Sequence, residues 1–530
     1  MMNWICILVA WVLQLPCPSV SGNREDISPE ALPVYQLWLP AQGRYFYTLD
    51  ETEKNDLLAR LLSDWTCDGI AFRACPTRSD KRLSPVYRFG CDLLNMHFLT
   101  IDEQEASSLI GYNWGVWTYE GIAFYAYPAG SQPAGTTAVH RFWSGSLGTH
   151  FYTADDRERF TLVSGYADTW QYEGIAYYAY PQQNSHGVQI IKGPAIQWIT
   201  PESATILWET DVPADSHVCY GVGSVDPCDV WDRGFVTLHR VVLSGLAPDT
   251  GYVYTAASGS DSRDGSFITA GAPGQAFRFA VYSDSQWDPQ VHRQIARNIQ
   301  EAQPRLVFHA GDLVSVGRDL DVWQTEFFEP AAELLANIPV IALPGNHAYF
   351  GSEALWFYYY FDRPVMQSWF ALTYDAVRFV GIDTSAPFAA DSPQHEWLLH
   401  EFDSPAYRDA TWHVIILHEP PFTATTGHGD NIAARDSLVP LFEQYGVDVV
   451  FGGHSHAYER YFHRGVCYIV TGGGGGPLYA LLPDTTVPIR QFGLSTHHHC
   501  AVDVNPVAGS LTITAVDAAG QIFDLMKLRK

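Results

Sequence analysis

Between residues 277 and 451 short apolar runs alternate with longer amphipathic stretches. Residues 277–282, 305–309, 339–343, 413–417 and 447–451 are rich in β-branched and aromatic side chains and read as buried strands. The intervening stretches 289–303, 321–337 and 433–445 read as helices, the first with Asp288 as its N-cap and Pro289 at its first helical position. Strands alternating with helices predict an open, mainly parallel sheet flanked by helices. Ligands of such sheets bind just beyond the carboxyl ends of the strands.

The amino-terminal half has other patterns. Residues 187–270 carry short alternating runs, 196–199, 204–209, 217–220, 236–243 and 252–257, which predict an all-β unit. Residues 33–181 repeat three times: Phe46-Tyr47-Thr48, Phe98-Leu99-Thr100 and Phe151-Tyr152-Thr153 are each followed by a tryptophan (Trp65, Trp117, Trp170) and a Gly-Ile-Ala strand. Spacings of 52 and 53 residues between the tryptophans suggest one pseudo-threefold unit with a shared core, because no copy could bury its own face. An acidic stretch such as 50–62 reads as a helix within each copy, which leaves a plain β-trefoil as only one option. Tyrosines in a threefold array suggest carbohydrate or cell-wall binding by residues 33–183, against the blander reading that they fill the core.

Length and composition, 530 residues with 47% hydrophobic and 17% charged, fit a folded protein of about three domains. A formal charge of -27, from 31 basic against 58 acidic residues, argues against a nucleic-acid partner. The apolar run 4–15 is too short to span a bilayer; Pro16, Pro18 and the small residues Ser19-Val20-Ser21 make residues 1–21 a secretory signal, although no Lys or Arg precedes Arg24. No later segment reads as membrane-spanning. Of nine cysteines, seven follow that segment; export would allow disulfides, and Cys219–Cys228 and Cys467–Cys500 are candidate pairs, with buried thiols the alternative.

The candidate chemistry sits at the strand ends. Ser283-Asp284-Ser285-Gln286, Gly311-Asp312, Gly345-Asn346-His347, Leu417-His418 and Gly453-His454-Ser455-His456 each follow one of the five predicted strands. Any one is ordinary turn chemistry, but together they offer carboxylate, amide and imidazole donors for two adjacent metal ions. Residues from about 276 to 530 resemble the calcineurin-like metallophosphoesterases. The run Gly453 to Arg460, and the glycines 472–476 ahead of Pro477-Leu478-Tyr479, resemble the purple acid phosphatase branch.

That resemblance implies a multidomain chain. Residues 276–530 would form an α/β four-layer metallophosphoesterase sandwich, with mixed β-sheets flanked by helices. An all-β fibronectin type III-like sandwich over 187–271 and the β-rich repeat module over 33–183 would precede it. The segment Leu246-Ala247-Pro248-Asp249-Thr250-Gly251-Tyr252 resembles the corner before a late strand of fibronectin type III-like domains. It further implies two divalent metal ions, zinc, iron or manganese. Asp312 would bridge them, Asp284 and His456 would complete one site, and Asn346, His418 and His454 the other. A shared hydroxide would attack a phosphoester substrate. His347 would stabilise charge or donate a proton, and His428 resembles a substrate-side histidine of the branch.

This chain departs from that pattern at three places. Ser315 stands where the purple branch has a tyrosine ligand, Gln286 where the wider superfamily has a histidine, and Ala348 where an acidic residue often follows Gly-Asn-His. Gln286 could bind only through a neutral amide oxygen, which disfavours iron(III) and a purple colour. An exported phosphomonoesterase is the leading expectation; a phosphodiesterase of the same fold, or a glycan-binding protein with a degenerate metal site, are the alternatives.

Overall fold

A computed structural model describes residues 30–39, 42–59, 65–91, 96–111, 116–182, 187–225, 228–271, 274–350, 354–361, 367–483 and 488–530. The expected signal over 1–21 lies outside them. Among the described residues no helix is long and apolar enough to cross a membrane.

The carboxy-terminal half is a four-layer sandwich built on two mixed sheets. One sheet has the order Val340–Ala342, Leu306–His309, Phe277–Tyr282, His498–Asn505, Ser510–Asp517, Ile522–Arg529; the first three run parallel and the rest are added antiparallel. The other has the order Phe370–Tyr374, Val377–Ile382, Trp412–Leu417, Val449–Gly452, Val466–Thr471, Tyr458–His463, Phe492–Leu494, with four central parallel strands. Strand alternation explains the layering. Phe279 and Val281 meet Phe379, Val414 and Phe451 between the sheets. Ala280 and Tyr282 point the other way, onto Ile295, Trp323 and Phe327, while Ile415 and Val450 of the second sheet meet Phe402 and Phe442.

The five predicted strands therefore exist, but they do not form one open parallel sheet. Three lie in the first sheet and two in the second, because long-range pairing with the carboxy-terminal strands completes each. Of the predicted helices, Pro289–Glu301 forms with Asp288 capping Gln290 and Val291. The stretch 321–337 instead breaks into a short turn, a wide helix Trp323–Phe328 and Ala332–Asn337, since Pro330 has no N–H to continue the ladder. Pro440 likewise divides 433–445 into Ile432–Ser437 and Val439–Gln444.

Each copy of the repeat forms a three-stranded antiparallel sheet with a helix before the last strand: Glu51–Ala59, Glu103–Gly111 and Asp156–Gly165. Equivalent residues meet in one core, Val34, Val86 and Val139 with Phe72, Phe124 and Tyr177. Arg88 bridges Glu53 of the preceding copy to Glu120, and Arg141 bridges Glu105 to Glu173. Residues 190–268 form one five-stranded antiparallel sheet. The predicted strands 204–209 and 217–220 are a single strand, Ser203–Gly221, whose register shifts between Glu209 and Ser216, and Asp261–Ile268 is a further strand the apolar pattern missed. Tyr254 Oη donates to Ala336 O at 2.9 Å, tying this sheet to the sandwich.

The proposed Cys467–Cys500 disulfide does not form. The two residues lie in facing sheets, and each sulfur has its own neighbour, Met526 Sδ at 3.6 Å and Thr471 Oγ1 at 3.6 Å. Burial pushes both thiols up to about 12, so they remain protonated. In the hairpin of Cys219 the register opposes that residue to Asp229; the side chain of Cys228 lies outside the described residues.

Candidate metal centre

Every candidate ligand sits in a loop that leaves the carboxyl end of a strand. Asp284 follows Phe277–Tyr282, Asp312 follows Leu306–His309, Asn346 follows Val340–Ala342, His418 follows Trp412–Leu417, and His454 and His456 follow Val449–Gly452. The two sheets thus contribute ligands to one point. Backbone bonds staple the loops together: Asp284 N–H donates to Gly311 O at 3.0 Å, Gly453 N–H to His418 O at 2.8 Å and Gly476 N–H to Asp284 O at 2.9 Å.

Asp312, His418 and His454 each present a donor atom within 4.8 Å of the other two. Asp312 Oδ2 lies 3.2 Å from His418 Nε2, and Asn346 Oδ1 lies 3.1 Å from the same nitrogen. Asp284 Oδ1 faces His456 Nε2 at 3.5 Å. The outer nitrogens are already committed: His418 Nδ1 donates to Ala310 O at 2.9 Å and His456 Nδ1 to Pro477 O at 2.8 Å. Such bonds fix the tautomer and leave each Nε2 free to ligate.

The site is built under strain and without slack. Asp284, Asp312 and His454 have φ of 60°, 54° and 65°, a left-handed conformation that costs each about 1–3 kcal/mol. Gly345 allows the closest approach, since a Cβ there would lie 2.1 Å from Asp312 Oδ1.

The buried carboxylates set the electrostatics of the site. Burial opposes ionisation of Asp284, but the hydrogen bond from His456 and the positive charges of His418 and His456 hold its carboxyl far below the usual range. Burial also opposes charge on His418, and the adjacent Asp312 and Asp284 carboxylates override it, pushing the imidazole up to about 10. His454, half-buried and facing His418, is instead pushed down to about 3 by desolvation and stays neutral, as a ligand must. Gln286 gives the sharpest test. Its Nε2 donates to Asp312 Oδ2 at 3.3 Å, while Oε1 is buried with no hydrogen-bond partner among the described residues. An orphaned carbonyl oxygen in a cage of carboxylates and imidazoles fits a bound cation. The residues present therefore suit divalent ions with mixed oxygen and nitrogen ligation.

His347 and His428 both reach the rim. The backbone N–H of His347 donates to Asp312 Oδ1 at 2.9 Å, and its Nδ1 donates to Ser315 O at 2.6 Å. His428 packs its ring, tilted by 31°, with its centre 3.8 Å from that of His454. Ser315 is not a ligand: its N–H and Oγ–H both donate to Glu326, at 2.7 and 2.9 Å. Ala348 is buried in the helical layer. Sequence reasoning missed Trp287, 44% exposed, whose ring centre lies 4.9 Å from His347 and 5.8 Å from His456, and Tyr479, stacked 4.4 Å over His456. Neither belongs to a periodic pattern; only adjacency to Gln286 and to the glycine run hinted at them.

Residues 277–458 match the calcineurin-like phosphoesterase family, and residues 19–127 and 115–193 match a domain of unknown function, DUF5648. The chain therefore carries a calcineurin-like phosphoesterase domain. It is similar to a phosphoenolpyruvate phosphatase of Allium cepa, 24% identical over 56% of this chain and 65% of that one. Similarity extends to purple acid phosphatase 1 of Ipomoea batatas, 24% identical over 51% and 62% respectively. The chain spans a little over three-fifths of the length of these relatives. Among solved structures, the yellow lupin purple acid phosphatase PPD1 superposes with a TM-score of 0.57 at 17% identity, over 68% of this chain and 77% of that one. PhoD superposes with a TM-score of 0.51 at 14% identity, over 64% and 92%. The fold of the carboxy-terminal half is that of the purple acid phosphatases.

Proposed function

We propose that this protein is an exported phosphoester hydrolase that works with two divalent metal ions and acts on phosphate monoesters. The observation that carries the reading is the convergence of Asp284, Gln286, Asp312, Asn346, His418, His454 and His456 on one buried point, with Gln286 Oε1 left for a cation. When bound, the ions supply Lewis-acid polarisation of a phosphoryl oxygen and a water of lowered pKa. The chain's own residues do the rest. Asp312, between the two groups of ligands, holds both together. His347, fixed at Nδ1 by Ser315 O, turns Nε2 to the rim as a proton donor or charge stabiliser for the leaving oxygen. His428 and Trp287 border the substrate side.

Metal analysis together with hydrolysis of p-nitrophenyl phosphate and its bis ester is the test. About two divalent ions per chain bound at this centre and monoester hydrolysis are expected, with activity abolished by Asp312→Ala or His454→Ala, whereas Gln286→Ala mainly weakens one metal. Preference for the bis ester would reassign the protein as a phosphodiesterase. No hydrolysis after loading with zinc, iron(II) or manganese would refute the reading.

Around this centre, residues 187–271 act as a fibronectin type III-like spacer, supported by Tyr252, whose hydroxyl accepts the Ala247 N–H at 2.9 Å in the manner of a tyrosine corner. Residues 33–183 are proposed to hold a glycan or cell-wall ligand on Tyr119 and Tyr172, equivalent in two copies and 44% and 40% exposed. Retention of residues 24–183 on insoluble polysaccharide or peptidoglycan tests this, and no retention counts against it. Export follows from the apolar segment before residue 21 and is tested by sequencing the amino terminus of the mature protein.

A further inference from the structure

A second constellation of metal-binding side chains lies outside the centre described above, on the hairpin formed by Ser203–Gly221 and Cys228–Ser244. His217 and Cys219 are two residues apart on one strand, so both project from the same face. The register opposes His217 to Trp231 and Cys219 to Asp229, which places an imidazole, a thiol and a carboxylate side by side. One donor atom from each of His217, Cys219 and Asp229 lies within 4.8 Å of the others. Cys219 Sγ is 3.2 Å from His217 Nε2 and 3.8 Å from Asp229 Oδ1, and His217 Nε2 is in hydrogen-bond contact with the same Asp229 oxygen.

The surroundings orient these groups. Trp231 stacks on the His217 ring at 3.6 Å between centres and 11° between planes, and its indole N–H donates to Asp229 Oδ2 at 2.9 Å. That bond occupies the outer carboxylate oxygen and leaves Oδ1 facing the imidazole and the thiol. The arrangement matches the support that metal-site ligands receive from a second layer of contacts. The site is open to solvent, with the His217 and Asp229 side chains 18% and 45% exposed, so an ion can enter and a water can complete the shell.

We propose that His217, Cys219 and Asp229 bind a divalent cation of zinc-like softness, separate from the phosphoesterase centre. A thiolate, an imidazole and a carboxylate suit zinc by donor type, and three protein donors leave one tetrahedral position for water. Binding takes the cysteine as thiolate, with its proton released to solvent, and the imidazole in the neutral tautomer that leaves Nε2 unprotonated. An ion held there would cross-link the two strands near the turn end of the hairpin, beyond the register shift at Glu209 to Ser216.

The test uses the full chain, stripped with a chelator and titrated with Co2+. A thiolate-to-cobalt charge-transfer band should appear in the near ultraviolet; it should vanish in Cys219→Ser and in His217→Ala and persist in Cys67→Ser. Zinc loading of unmodified protein should protect Cys219 from alkylation, read by peptide mass spectrometry, which needs no variant to fold. Bound metal should fall by about one ion in Cys219→Ser, with phosphoester hydrolysis unchanged. No charge-transfer band, no protection of Cys219 by zinc, or a Cys219–Cys228 disulfide in the purified protein would each overturn the proposal. These readouts do not depend on hydrolytic activity, so failure of the phosphoesterase reading leaves them intact.

Discussion

Glu326 touches none of the candidate ligands, yet it holds the loop that aims His347. Its carboxylate accepts the N–H and the Oγ–H of Ser315 at 2.7 and 2.9 Å, and the carbonyl of Ser315 accepts His347 Nδ1–H at 2.6 Å. Glu326→Gln keeps the shape but removes the charge and turns one acceptor into a donor. The Ser315 hydroxyl can rotate to accept from the new amide, so both bonds persist without charge assistance. Charge-assisted bonds contribute roughly 1.5–3 kcal/mol and neutral ones about 0.5–1.5, so the change weakens the clamp by about 2 kcal/mol. Transmitted fully to the transition state, that is roughly a 30-fold loss of rate; shared with loop relaxation, about tenfold is expected. Removing His347 altogether sets the ceiling, about 100-fold or more for a proton donor.

The assay is steady-state hydrolysis of p-nitrophenyl phosphate by four proteins: the parent, Glu326→Gln, His347→Ala and the double variant, with metal content measured on each. Glu326→Gln should lower kcat/KM about tenfold in the parent and by less than about twofold when His347 is already alanine. Metal content should be unchanged. Equal losses in both backgrounds, or loss of metal from Glu326→Gln, would refute the idea that this carboxylate acts through His347.

Two further outcomes follow from the geometry. Gly345→Ala removes no donor, but its Cβ would meet Asp312 Oδ1 at 2.1 Å, so metal analysis should show depletion and hydrolysis should fall by more than about tenfold; full metal content would show that the loop yields freely. Acid should destabilise the fold before most carboxylates titrate, because burial lowers His239 and His499 from 6.5 to about 3 and His292 to about 4. The unfolded chain takes up these protons first. The stability is therefore complete above the ordinary 6.5 and is lost as pH falls toward the folded values, at about 1.4 kcal/mol per unit for each histidine. Thermal unfolding of metal-stripped protein reads this directly, and a midpoint that is flat from pH about 7 to about 4.5 would contradict it.

The chain's local order determined much of this protein. Strand runs, the Asp288 cap, the 52- and 53-residue repeat and the ligand-bearing loops are all set by neighbours in sequence, since a strand followed by a turn residue is specified within about ten positions. That is why the candidate set Asp284, Asp312, Asn346, His418, His454 and His456 could be nominated before any fold was known. Other features depend on which distant strands pair. The division of the five strands between two sheets, the placing of Cys467 and Cys500 in facing sheets without a disulfide, the capture of Ser315 by Glu326 and the meeting of His217, Cys219 and Asp229 across a hairpin come from register and packing. Such contacts link positions whose side chains carry no local mark of their partners, and only the tertiary structure brings them within reach.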